Sequence, residues 1–112
     1  MYASITDRGL VTVIRPRGEI NASNAAAFQD QLTDTVASAS NSRVVVDMDQ
    51  VESLDSSGLM ALVSGHSLAV RQGCEFGVCS VSPSIRIIFE ISQLDRVFKI
   101  YGSPADVTAA IA

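Results

Sequence analysis

The sequence predicts an α/β fold: a mixed sheet that opens with an N-terminal hairpin and continues in parallel strands, with about four helices packed on it. Three observations predict this. Apolar stretches of strand length alternate with stretches whose apolar residues recur at steps of three and four. The run Val44, Val45, Val46 is β-branched without a break, as in a strand buried on both faces. Ser-Pro pairs and a glycine punctuate the helical stretches at their ends.

In chain order, Ala3 to Ile14 carries two short apolar segments around Thr-Asp-Arg-Gly, a hairpin turn, with Leu10, Val11, Val13 and Ile14 strand-like. Gly18-Glu19-Ile20-Asn21 then leads into an amphipathic helix, because Ala25, Phe28, Leu32 and Val36 fall on one face and Asn21 or Ser23 is available as its N-cap. After a loop comes the valine run, predicted as the central strand. Over Val51 to Met60 an apolar strand gives way to a second helix, whose stripe is Leu59, Leu62, Val63, His66 and Val70 and whose C-terminal cap is Gly73. Residues 74–81 read as a strand. Ser82 and Pro83 open a short third helix, although its isoleucines would also suit a strand. Residues 95–101 read as a last short strand, and Ser103 with Pro104 opens a last helix. Successive strands joined through helices are parallel with right-handed crossovers, and sites in such sheets gather at strand C-termini and the facing helix N-termini.

Composition bounds the function. At 112 residues and 47% hydrophobic content, one domain over 1–112 with a real core is expected. A net charge of -4, with basic residues scattered from Arg8 to Lys99, speaks against a nucleic-acid partner. Apolar runs are far short of the ~20 residues that cross a bilayer, and no signal-type segment develops at the N-terminus, so a cytoplasmic protein with no membrane partner is expected. Cys74 and Cys79 sit in one predicted strand with Cα atoms ~16 Å apart, beyond the ~7 Å reach of a disulfide, and read as two small buried thiols. With a single histidine and no Cys-x-x-Cys, no metal site and no cofactor are expected.

Asp55-Ser56-Ser57-Gly58 falls where sites gather, and four chemistries compete for it. Nucleophilic catalysis would need His66 as base, but ten residues of helix place the imidazole ~15 Å along the axis from Ser56. Metal-assisted phosphoryl transfer to a carboxylate would draw on Asp47, Asp49, Glu52 and Asp55; a receiver domain, however, wants an acidic pair after its first strand and a late sheet lysine, whereas this chain starts with a hairpin and its lone lysine is Lys99, and a plain solvated loop is the other reading of these acids. Helix capping by Asp55, Ser56 or Ser57 needs only one oxygen. The fourth chemistry is a regulated serine: a first-turn hydroxyl is exposed, helix N–H groups tolerate an anion, and Gly58 leaves room for another protein's active site. The residues alone do not choose between Ser56 and Ser57.

The run VVVDMDQVESLDSSGLMALV resembles the signature of anti-sigma factor antagonists with a STAS domain, in which an apolar strand and a spacer precede Asp-Ser-Ser/Thr-Gly-Leu and a helix. GEIN, VSPSIRIIFEIS and LDRVFKIY resemble the family's other landmarks in order, so the likeness covers nearly the whole chain. The resemblance implies the STAS fold and no catalysis by the protein itself. It implies phosphorylation on Ser56, with Asn21, Asp55, Ser57 and Gly58 forming the partner-binding loop. The partners implied are an anti-sigma factor that is also a serine kinase, and a serine phosphatase. A STAS module with a different signalling or transport partner is the alternative. Two departures stand out: Asn21 replaces the family's aspartate, and Ser92-Gln93-Leu94 replaces its Thr/Ser-Gly-Leu.

Overall fold

The computed structural model describes residues 3–7, 11–39, 43–103 and 105–106. Seven strands and three α-helices lie among them: β1 (Ala3–Asp7), β2 (Val11–Pro16), β3 (Gly18–Ile20), α1 (Ala25–Ser38), β4 (Arg43–Asp47), β5 (Val51–Leu54), α2 (Ser56–Gln72), β6 (Glu75–Cys79), α3 (Pro83–Ile91) and β7 (Lys99–Tyr101), with a 3-10 turn at Leu94–Arg96 before β7. The hairpin turn at 8–10, the loop at 40–42 and most of the helix expected over 103–112 lie outside the described residues.

Five strands form one sheet in the order β1-β2-β4-β6-β7, antiparallel between β1 and β2 and parallel elsewhere. The valine run is the central strand, and none of its three side chains is exposed. One face of the sheet packs against α1 and α2, joining Ile14, Val44, Val46, Phe76 and Val78 to Phe28, Leu32, Val36 and Leu62 in the main core. A smaller cluster of Val11, Val13, Val45 and Cys79, with Tyr101 against it, lines the other face. This split follows from strand alternation, since Val44 and Val46 point one way and Val45 the other.

Two helix signals act as read, the end of α2 and the start of α3. Gly73 closes α2 in the left-handed region (φ 72), with the Cys74 N–H donating back to the Ala69 carbonyl at 2.8 Å. Ser82 Oγ accepts the Ile85 N–H at 3.4 Å, and Pro83 takes the first helical position of α3, so the isoleucines there form a helix. Gln93, in the left-handed region at φ 62, follows the end of α3.

Strand β3 and a second sheet were not expected. The sequence reading runs from GEIN straight into α1, but Gly18–Ile20 and Val51–Leu54 pair as a separate two-stranded parallel sheet. Both cysteines are free and buried. Burial, then the nearby Asp47 carboxylate, pushes the Cys79 thiol up to about 11, and burial raises Cys74 as well. Among the described residues no helix is long and apolar enough to cross a membrane.

Candidate functional site

Asp55 stands in extended conformation before α2, and its Oδ1 accepts the Gly58 N–H at 3.1 Å. The cap is therefore the aspartate, and neither serine is needed for it; such a cap stabilises a helix by ~1 kcal/mol. Ser56 is the first helical residue and is exposed, whereas Ser57 is half-buried. The helix thus sorts two chemically identical side chains by rotation about its axis.

Gly58 does a different job from the one the sequence reading gives it. It is buried, and a Cβ there would lie 2.4 Å from Leu54 Cδ1 and 2.9 Å from Ile20 Cγ2. The missing side chain makes room inward, letting the first turn of α2 rest on the last residues of β5 and β3, and leaves no opening outward. Sequence shows that a side chain is absent but not which way it would have pointed.

The small sheet gathers the loop. Ile20 pairs with Leu54, and the Asp55 N–H continues the ladder by donating to the Ile20 carbonyl at 3.1 Å. Asn21 and Asp55 consequently stand side by side at the C-terminal ends of two parallel strands. Neither Asn21 nor Ser23, the two caps the sequence offers, caps α1. The Asn21 Oδ1 instead accepts the Ser23 N–H at 3.0 Å and the Ser23 hydroxyl at 2.6 Å, while its carbonyl accepts the N–H groups of Asn24 and Ala25. The residue before α1 is Asn24, which reaches backward: its Nδ2 donates to the Glu19 carbonyl at 2.8 Å, and its Oδ1 accepts the Asn21 N–H at 3.0 Å. An extra turn over 21–24 displaced the cap, and no periodic signal in the sequence marks that turn.

The acidic run also divides. Asp49, Glu52 and Asp55 are exposed, but Asp47 is 5% exposed, pairs with Arg15 Nε at 2.9 Å and accepts the Asp49 N–H. Asp47 is thus a structural anion in the sheet and not part of a solvated loop. Its partner comes from β2, too far away in sequence for spacing to reveal it. Among the described residues no three His, Cys, Asp or Glu side chains cluster as metal ligands. Lys99 donates to Glu75 Oε1 at 3.3 Å, and the flanking Arg43 and Lys99 hold the Glu75 carboxyl below its usual range. His66 lies on α2 as expected, ring to ring with Phe98 at 5.4 Å and Phe76 at 6.1 Å, a packed histidine well along the helix from Ser56.

The site is therefore an exposed hydroxyl at the N-terminus of a 17-residue helix, on a rigid seat of Gly58, Leu54 and Ile20. A helix N-terminus favours added negative charge. Comparison with known proteins adds the following. A family model described as STAS domain matches residues 2–107. The anti-sigma-F factor antagonist RsfB of Mycobacterium tuberculosis is 28% identical over 108 residues, 96% of this chain and 87% of that protein. An anti-sigma F factor antagonist of Paenibacillus polymyxa is 24% identical over 91 residues, 81% of this chain and 78% of its own. A crystal structure of an anti-sigma factor antagonist from Mycobacterium paratuberculosis superposes with a TM-score of 0.86 at 28% identity, covering 97% of this chain and 92% of the other.

Proposed function

The chain belongs to the STAS domain family, and from that premise we propose that it acts as a cytoplasmic anti-sigma factor antagonist switched by phosphorylation of Ser56. The unphosphorylated form binds an anti-sigma factor that is also a serine kinase, and so frees a sigma factor. The kinase phosphorylates Ser56 and ends the complex, and a serine phosphatase restores it. The protein is substrate and ligand in this circuit and carries out no catalysis itself. The loop the partner reads comprises Asn21, Asp55, Ser56 and Ser57, seated from beneath by the buried Gly58.

The observation that carries this reading is the exposed Ser56 hydroxyl on a helix end whose cap is already supplied by Asp55. Ser56 has no structural task that a phosphate would disturb. An anion in the first turn gains ~0.3 to 1 kcal/mol from the helix end, so phosphorylation leaves the fold intact. At the interface the balance reverses. A phosphate brings ~1.5 to 2 negative charges to a surface already bearing Asp55 and Glu52, and a partner that had docked on a small hydroxyl must desolvate it. A cost of ~2.8 kcal/mol lowers affinity 100-fold.

The test is incubation with ATP and each purified anti-sigma factor kinase of the source organism, followed by phosphopeptide mapping and calorimetric titration. Phosphate is expected on Ser56. Ser56→Asp is expected to bind weakly and Ser56→Ala tightly, both with melting curves close to wild type. Phosphate on Ser57 alone overturns the residue assignment; phosphate on neither, with no binding, overturns the circuit.

A further inference from the structure

Helix α3 carries isoleucine on opposite faces. Ile85 and Phe89 are buried in the main core, as an amphipathic helix requires. Ile87 and Ile91, four residues apart, form a second stripe on the side away from them, with 53% and 79% of their surfaces in water. Neither burial nor local propensity accounts for this stripe, because β-branched side chains are poorer helix formers than the Lys, Glu or Gln usually found on an outer face.

The charges beside the stripe say what fits it. Arg86 and Glu90 are exposed, also four apart, and run along one flank of the two isoleucines. Neither is in an ion pair among the described residues, where the pairs are Arg15 with Asp47 and Glu75 with Arg43 and Lys99. An anionic membrane would call for cations on this flank, and a strongly charged protein for charges of one sign; the flank offers one of each. Such a pattern is complementary to itself when turned half round. About a two-fold axis beside Ile88, antiparallel helices set Arg86 opposite Glu90 of the second copy, on the same flank, and the reverse. At ~1.5 Å per residue the same axis interleaves the isoleucines of the two copies at steps of ~3 Å, so apolar and ionic contacts share one register.

We propose that the outer face of α3 binds a second copy of this chain, antiparallel helix to helix, with Ile87 and Ile91 as the dry centre and two Arg86–Glu90 pairs at its rim. The inference is independent of the phosphorylation circuit, since no residue of the serine loop takes part. A helix face nine residues long is well short of the ~800 Å² per partner of a standard interface, so the dimer is weak, with a dissociation constant on the order of 100 μM.

Sedimentation equilibrium of the full chain, from about tenfold below that value to about tenfold above it, tests the proposal. Ile91→Glu is expected to weaken dimerisation at least about 100-fold, and Arg86→Glu or Glu90→Arg about tenfold each, because the symmetry repeats every change. The double variant Arg86→Glu with Glu90→Arg is expected to return to within about threefold of wild type, since the swapped charges again meet their opposites. Ile5→Glu is the control and is expected to dimerise like wild type: Ile5 is 49% exposed on β1, at the far edge of the sheet from β6 and β7, which α3 connects. If Ile91→Glu melts lower than wild type, the charge swap carries the test. A wild type that stays monomeric across the range, a dimer weakened as much by Ile5→Glu as by Ile91→Glu, or a double variant no tighter than the single ones overturns the proposal.

Discussion

At its N-terminal end α2 is held almost without slack, with Asp55 Oδ1 on the Gly58 N–H and Gly58 itself pressed between Leu54 and Ile20, whereas its C-terminal end closes on Gly73 with open space around it. The first glycine is needed for close approach and the second for its left-handed backbone. Beside the first end lie exposed polar groups; beside the second, His66 packs its ring against Phe76 and Phe98. One helix thus shows two uses of small residues: to seat a chemical group where a partner can read it, and to stop a chain.

The largest expected effect breaks the seat. Gly58→Ala places a Cβ inside contact distance of Leu54 and Ile20, both nearly fully buried, and overpacking of this kind costs ~1 to 3 kcal/mol. Thermal unfolding is expected to show a Tm lower by about 5 °C or more. An unchanged Tm would mean that Leu54 swings aside and the seat is soft.

A matched pair sharpens the contrast. Asp55→Ala removes the cap and Gly73→Ala puts a side chain at φ 72, each at ~1 kcal/mol in urea unfolding. The two variants are expected to be equally unstable, yet only Asp55→Ala is expected to change the rate at which Ser56 is phosphorylated. Equal phosphorylation rates would disconnect the cap from the site. The end of α3 supplies the opposite sign, because Gln93 holds φ 62 without being glycine. Gln93→Gly is expected to raise stability by up to ~1 kcal/mol in the same assay.

The smallest effect belongs to Asn21→Asp. The Asn21 side chain uses Oδ1 as an acceptor from Ser23, a role a carboxylate fills equally well. Stability within ~0.5 kcal/mol of wild type is expected by urea unfolding. A loss well above that would show that the Asn21 amide donates a bond the fold needs.

Strong local patterns made much of this architecture legible in the sequence. The valine run gave the central strand, the Ala25–Phe28–Leu32–Val36 spacing gave α1, and Ser82-Pro83 gave the start of α3. Strand β3 and its pairing with β5 were illegible because three or four residues carry no period; the two strands hold each other across a long stretch of chain. The burial of Asp47 depends in the same way on an arginine from β2. Candidate residues of the loop could be named from the motif, but the exposure of Ser56 against Ser57 and the inward direction of Gly58 arise only when the helix is set on its strands.

The two-stranded sheet gives the serine loop its own clock. Three residue pairs, the Gly18 N–H bond to the Gln50 carbonyl and the Asp55 N–H bond to the Ile20 carbonyl hold it, against the continuous ladders of the five-stranded sheet. So short a ladder opens at lower free energy than the whole domain unfolds. Deuterium uptake at the Asp55 amide is therefore expected to outpace uptake at Val45 and Val46. Ile20, Val51 and Leu54 share one core with Val44 and Val46, so the ladder loosens only in its backbone bonds, and a modifying enzyme meets Ser56 on a folded helical turn and not on a peptide drawn out of the domain.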